Sequence, residues 1–132
     1  MSEQMVEKRI GSGAQWEDIV GYSRAVRKGN MIWVSGCAPA LVDGQVEGGD
    51  DPYAQAMSCL GILKTAIEQL GGQLEDVVRT RIYVTDIAQW EEIGKAHGAY
   101  FAKIKPAATM VEVKGLIVPE MLVEIEADAC LG

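Results

Sequence analysis

Three carboxylates stand at every second position of the stretch "MLVEIEADA": Glu124, Glu126 and Asp128. Side chains alternate between the two faces of a strand, so all three share one face. The stretch "DVVRTRIYVTD" places Arg79, Arg81 and Tyr83 on one face in the same way. A carboxylate can move protons. An arginine can hold a small anion or neutralise neighbouring acids. Just before the acids, "KPAATMVEVKGL" reads as a turn and a strand, and it offers Ala108 rather than a cation. Two readings fit the charged face. It is a solvated surface with cross-strand ion pairs, each worth well under about 1 kcal/mol. Or it lies against other subunits, where charges must be paired or must bind something.

The elements that would carry these residues follow from spacing. Residues 1–20 are mixed and read as a loose lead-in containing "GSGAQW". "GYSRAVRKGNMIWVSGCAP" reads as two strands around a Lys-Gly-Asn turn. "ALVDGQVEGGDD" reads as a loop or a short irregular strand. Asp51 can cap the free amides of a helix and Pro52 suits its first position. Met57, Leu60, Leu63, Ile67 and Leu70 then mark one apolar face, and Gly71-Gly72 ends the helix. A strand over 77–85 follows, then a second helix over 88–104 with His97 on its inner face. Strands over 108–115 and 121–130 close the chain, joined by a turn at 116–120. The expected parity puts Val78, Ile82 and Val84 toward the helices, with Val123, Ile125, Ala127 and Ala129. It puts Ala108, Met110 and Glu112 on the charged face with Glu124. The order predicts an α+β domain of two layers, a mixed sheet with two helices on one face, spanning 1–132 as one unit.

Composition narrows the function. The chain has 132 residues, 48% hydrophobic and 23% charged, with a net charge of −7. An acidic balance argues against a nucleic-acid footprint, which needs a basic patch. No apolar run approaches the roughly 18 residues of a membrane span. The start, "MSEQMVEKRI", has no secretory apolar core, and a cytoplasmic location is expected. The three cysteines, Cys37, Cys59 and Cys130, are far apart, and His97 is the single histidine. No zinc set can be assembled at the usual spacings, so no metal is expected.

Five stretches taken together resemble the RidA/YjgF family: "GY" at Gly21-Tyr22, "VSGCAP" at 34–39, "DVVRTRIYVTD" at 76–86, "PAATMVEV" at 106–113 and "VEIEADA" at 123–129. The resemblance implies a chorismate-mutase-like fold and a homotrimer. Its sheets would form a central barrel, with the helices outside and ligand clefts between subunits. It implies cofactor-free hydrolysis of enamines and imines to a carbonyl compound and ammonia. Glu124 matches the carboxylate that positions water or shuttles the proton. Tyr22, Ser35 and Gly36 match the cleft wall, and backbone groups of the "PAATM" stretch, at Ala108 and Thr109, lie alongside. Without the resemblance, Tyr22 reads as a strand aromatic, Ser35-Gly36 as a strand end, and Glu124 as one of three paired acids.

The family's deaminating members resemble one another in an arginine at the position of Ala108, where it clamps the substrate carboxylate. Alanine there removes the clamp, so amino-acid imines are expected to bind weakly. Arg24 or Arg81 could relocate the charge, or both could only neutralise Glu112, Glu124 and Glu126. Trp16 could cover the cleft near Tyr22 or anchor the lead-in. Two functions remain open: a deaminase-like hydrolase acting on a small reactive metabolite, and a trimeric binding, regulatory or chaperone-like protein without the chemistry. A third, endoribonuclease, is disfavoured by the acidic balance and the lack of a basic or aromatic strip.

Overall fold

The structure, a computed structural model, describes residues 5–132. Along the chain run β1 (Glu7–Ile10), α1 (Gln15–Val20), β2 (Ala25–Lys28), β3 (Met31–Cys37), β4 (Leu41–Val42), β5 (Gln45–Val46), α2 (Pro52–Gln69), β6 (Val77–Val84), α3 (Trp90–Phe101), β7 (Ala107–Glu112) and β8 (Val123–Cys130). Six strands form one mixed sheet in the order β1-β2-β3-β8-β6-β7, and β4 with β5 makes a separate two-stranded ribbon. All neighbours in the large sheet are antiparallel except β6 and β7, the parallel pair joined through α3. This is the mixed α+β architecture that the element order predicts.

Alternation builds the core. Val123, Ile125, Ala127 and Ala129 of β8 are buried beneath α2, together with Ile32 and Val34 of β3. Leu60, Leu63 and Ile67 of α2 and Ile93, Ala96 and Phe101 of α3 close over them. Asp51 accepts hydrogen bonds from the amides of Tyr53 and Ala54 at 3.0 and 3.3 Å, and Pro52 occupies the first turn. At the other end Arg27 Nη1 donates to the Leu70 carbonyl at 2.8 Å, a cation where the helix dipole is negative. Fully buried Gln55 is a second clamp. Its Nε2 donates to Gly49 O and Glu120 O at 2.6 and 2.9 Å, and its Oε1 accepts from Leu122 N at 2.7 Å. The loop before β8 is thereby tied to the start of α2.

The structure departs from the expected pattern in several places. Residues 1–4 of the expected lead-in lie outside the described residues; the rest contains β1 and α1, and β1 pairs with β2 in register Glu7 to Lys28. The second helix is shorter than expected, since a 3-10 turn at Ile87–Gln89 precedes it. Val78 is exposed rather than buried: the register of β6 against β8 shifts between Val77 and Arg79, which turns Val77 inward and Val78 out.

Candidate functional site

A bulge in β3 makes the site. Val34 pairs with Ala127 and Cys37 with Ile125, so β3 takes three steps where β8 takes two. The extra residue falls in Ser35-Gly36. Their carbonyls leave the ladder and meet Arg24 instead, whose Nη1 donates to Ser35 O at 3.1 Å, Gly36 O at 3.0 Å and Cys37 Sγ at 3.1 Å. Ser35 N donates back to Arg24 O at 3.0 Å, and Ser35 Oγ donates to Ser23 O at 2.7 Å. The approach to β2 and the bulge are thus stitched together, and Tyr22 is carried beside them.

Gly36 lies directly against Glu124. A Cβ built on Gly36 would stand 2.4 Å from Glu124 Oε2, closer than real contacts allow. Lack of a side chain is what lets the carboxylate approach the bulge. Glu124 is partly buried, and burial raises its pKa above the ordinary carboxylate value. The positive charge of Arg24 works in the opposite direction, and the negative charge of Glu126 adds to the rise. The balance of these effects favours the protonated form of Glu124 more than for an ordinary surface carboxyl.

Tyr22, Arg24, Gly36 and Glu124 all line one cleft of about 450 Å³. Trp16 lies on its wall, which fits either role expected of it. A wider hollow of about 830 Å³ runs along α2 and shares Arg24 with the cleft, but neither Tyr22 nor Glu124 reaches it. Beneath the site Cys37 is buried, and its thiol is pushed up to about 11 by desolvation. That thiol is a packed group rather than a nucleophile. Among the described residues no group of three or more His, Cys, Asp or Glu stands together to hold a metal ion.

The remaining expected residues lie elsewhere in the chain. Ser35 faces a shallow hollow with Tyr22 outside the cleft. Arg81 pairs with Asp128 at 3.3 Å on the bare sheet face, where the Tyr83 hydroxyl donates to Glu126. Ala108 and Thr109 lie on β7, at the sheet edge, with β6 and β8 between them and β3. The parity expected for Ala108 is reversed. β7 pairs in parallel with Ala108 opposite buried Thr80 and Met110 opposite buried Ile82, and Met110 packs on the core. Ala108, Met110 and Glu112 therefore share the helix side, opposite to Glu124, and Thr109 takes the bare face with Arg81. The sequence reading missed Leu41, Ile117 and Met121 of the cleft wall. They sit in a ribbon and a loop without periodicity, and nothing local marks them.

The family model described as Endoribonuclease L-PSP matches residues 13–131. The chain is 33% identical to an uncharacterised Streptomyces coelicolor protein, covering 95% of this chain and 92% of that one. It is 32% identical to a 3-aminoacrylate deaminase, RutC, of Acinetobacter baylyi, over 82% of this chain and 85% of that one. Among solved structures, a YjgF family member from Mycobacterium tuberculosis superposes with a TM-score of 0.87 at 47% identity, covering 96% of this chain and 100% of that one. A Pseudomonas aeruginosa protein of unknown function gives 0.82 at 35% identity, covering 97% and 94%. These likenesses show that the chain belongs to the RidA/YjgF family.

Proposed function

We propose that the cleft binds a small imine, enamine or related carbonyl metabolite and hydrolyses it, with Glu124 moving the protons. The observation that carries this reading is the Glu124 carboxyl, partly buried beside Gly36 with a raised pKa, on the wall of a cleft that Tyr22 and Arg24 also line. An imine is already electrophilic. Glu124 takes a proton from water as its oxygen bonds to the imine carbon, and passes that proton to the nitrogen. Glu124 then takes the hydroxyl proton and hands it to the amine, so that the C–N bond breaks, ammonia leaves and the carbonyl forms. For an enamine, the protonated form of Glu124 first supplies a proton to the carbon. No cofactor enters either sequence. The relative named as a 3-aminoacrylate deaminase acts on an enamine, which supports the class of chemistry.

Arg24 is the cation of the cleft in this reading, and Arg81 is a structural partner of Asp128. The bare sheet face, with partly exposed Trp33 and the Arg81–Asp128 and Tyr83–Glu126 pairs, faces other copies in a homotrimer. The edge strand bearing Ala108 and Thr109 then adjoins the cleft of a neighbouring copy. A second reading, a binding protein without the chemistry, is favoured by Ala108, which offers no carboxylate clamp from that strand.

The deciding experiment follows ammonia and carbonyl release from freshly generated amino-acid imines, with the assembly checked by light scattering. Acceleration by the wild-type chain that is lost in Glu124→Gln supports the hydrolase. Acceleration that appears only in Ala108→Arg identifies a family deaminase disabled at one position. None in either variant leaves the binding reading.

A further inference from the structure

The wall of the cleft is apolar as well as polar. Besides Tyr22, Arg24 and Glu124, its wall carries Trp16, Leu41, Ile62, Ile117 and Met121. Two of these are large hydrophobic groups left open to solvent: Leu41 is 44% and Ile117 is 63% exposed. Isolated exposed hydrophobes need no explanation, but apolar groups gathered around a concave polar spot mark a binding surface.

The segments that present them are held in place. Leu41 opens the β4–β5 ribbon, whose turn at Asp43-Gly44 has positive φ at both residues, 51° and 77°. That is the turn type suited to a two-residue hairpin. The base of the ribbon is closed by Glu47 N donating to Ala40 O at 2.8 Å and anchored to α2 by Ala40 N donating to Ser58 Oγ at 3.0 Å. On the other side, Gln55 ties Glu120 and Leu122 to α2, which buries Met121 and leads the Ile117 loop over the cleft.

We propose that the substrate carries an aliphatic or other apolar side chain, and that Leu41 and Ile117 are the residues that select it. This rests on the reading of the cleft as a site for imines and carbonyl compounds, and deepens it by naming the substrate class. The carbonyl or imine head lies at Glu124 and the apolar chain extends toward Leu41, Ile117 and Trp16. Binding then comes from the side chain, in a site where Ala108 supplies no clamp and Arg24 Nη1 is already engaged by the bulge. A three-carbon polar substrate would leave these apolar groups uncovered.

The test measures binding, which is independent of turnover. The probes are the 2-oxo acids that such hydrolysis would release, pyruvate and 4-methyl-2-oxopentanoate, titrated calorimetrically into the full chain. Three added carbons should tighten binding by about tenfold or more. Leu41→Ser and Ile117→Ser should each remove most of that gain, bringing the affinities for the two acids together. Equal affinity for the two acids, tighter binding of pyruvate, or binding of neither overturns the proposal. A gain that survives both variants overturns the assignment. So does dissociation of the oligomer in these variants with the preference intact, which would make the two residues a subunit contact. Selective binding without ammonia release from the matching imines would instead count against the hydrolase reading alone.

Discussion

Gly36 gives Glu124 its place: any Cβ there would lie 2.4 Å from Glu124 Oε2 and 2.8 Å from its carboxyl carbon. The atoms in conflict belong to the end of a flexible side chain, and Gly36 does not need a positive φ. Gly36→Ala is therefore expected to fold and assemble normally while pushing the carboxylate out of position. Displacing a catalytic group by about 1 Å costs on the order of 100-fold. The expected outcome is a fall of at least that size in kcat/KM, with a thermal midpoint close to wild type. A variant that unfolds would show the glycine to be structural.

Glu124→Gln tests the proton shuttle and carries a pH signature. Loss of general acid–base catalysis should lower the rate by about 100- to 10,000-fold. Burial raises the folded-state pKa of Glu124 above its unfolded value. The native state therefore binds more protons than the unfolded state between those two pKa values. The stability linked to this group falls as pH rises through that window, and the penalty is complete above the folded pKa. Replacing the ionisable group by an amide removes it. Glu124→Gln should gain stability relative to wild type at neutral pH and lose the advantage below the ordinary carboxylate range. Thermal melts at several pH values check the sign.

The parts of this molecule that local physics dictates were readable from the residues alone. The Asp51-Pro52 start of α2 and the hairpin around Gly29 both depend on neighbours in sequence. So does the alternation of Val123–Ala129, and Glu124 follows directly from it. The misplaced face of Ala108 has a different origin. The expected parity set Ala108 beside Glu124, whereas β7 takes its register from β6. The β6–α3–β7 order is a strand–helix–strand crossover, which favours parallel pairing, and that signal outranks proximity in sequence. The bulge was hidden because Ser35-Gly36 looked like the end of a strand; only the count of steps against β8 reveals it.

Arg24 and Arg81, alike from sequence, should separate experimentally. Arg24→Met removes donors from Ser35 O and Gly36 O, which should destabilise the chain by about 1–3 kcal/mol. It also removes the positive charge that holds the Glu124 pKa down, so the pH midpoint of activity should move upward. Arg81→Met breaks one partly exposed pair with Asp128, worth at most about 1 kcal/mol within the chain. Ligand binding should survive it. Calorimetric titration of both variants, with pH–rate profiles, distinguishes the two. Loss of binding in the Arg81 variant with assembly intact would move the cation of the site to the sheet face.

His97 provides the control outside the cleft. Its Nε2 lies 2.8 Å from Oγ1 of fully buried Thr80, and its ring packs at 4.7 Å from that of Phe101. Burial lowers its pKa from the ordinary 6.5. The unfolded chain therefore binds the proton first on acidification, and stability falls as pH drops from the ordinary value through the folded one. His97→Phe keeps the ring but leaves the Thr80 hydroxyl without that partner, at a cost of about 1–3 kcal/mol. The variant should melt earlier at neutral pH, lose part of the acid-induced destabilisation, and retain wild-type kcat/KM. A fall in kcat/KM at temperatures where the variant is fully folded would bring His97 into the function of the cleft.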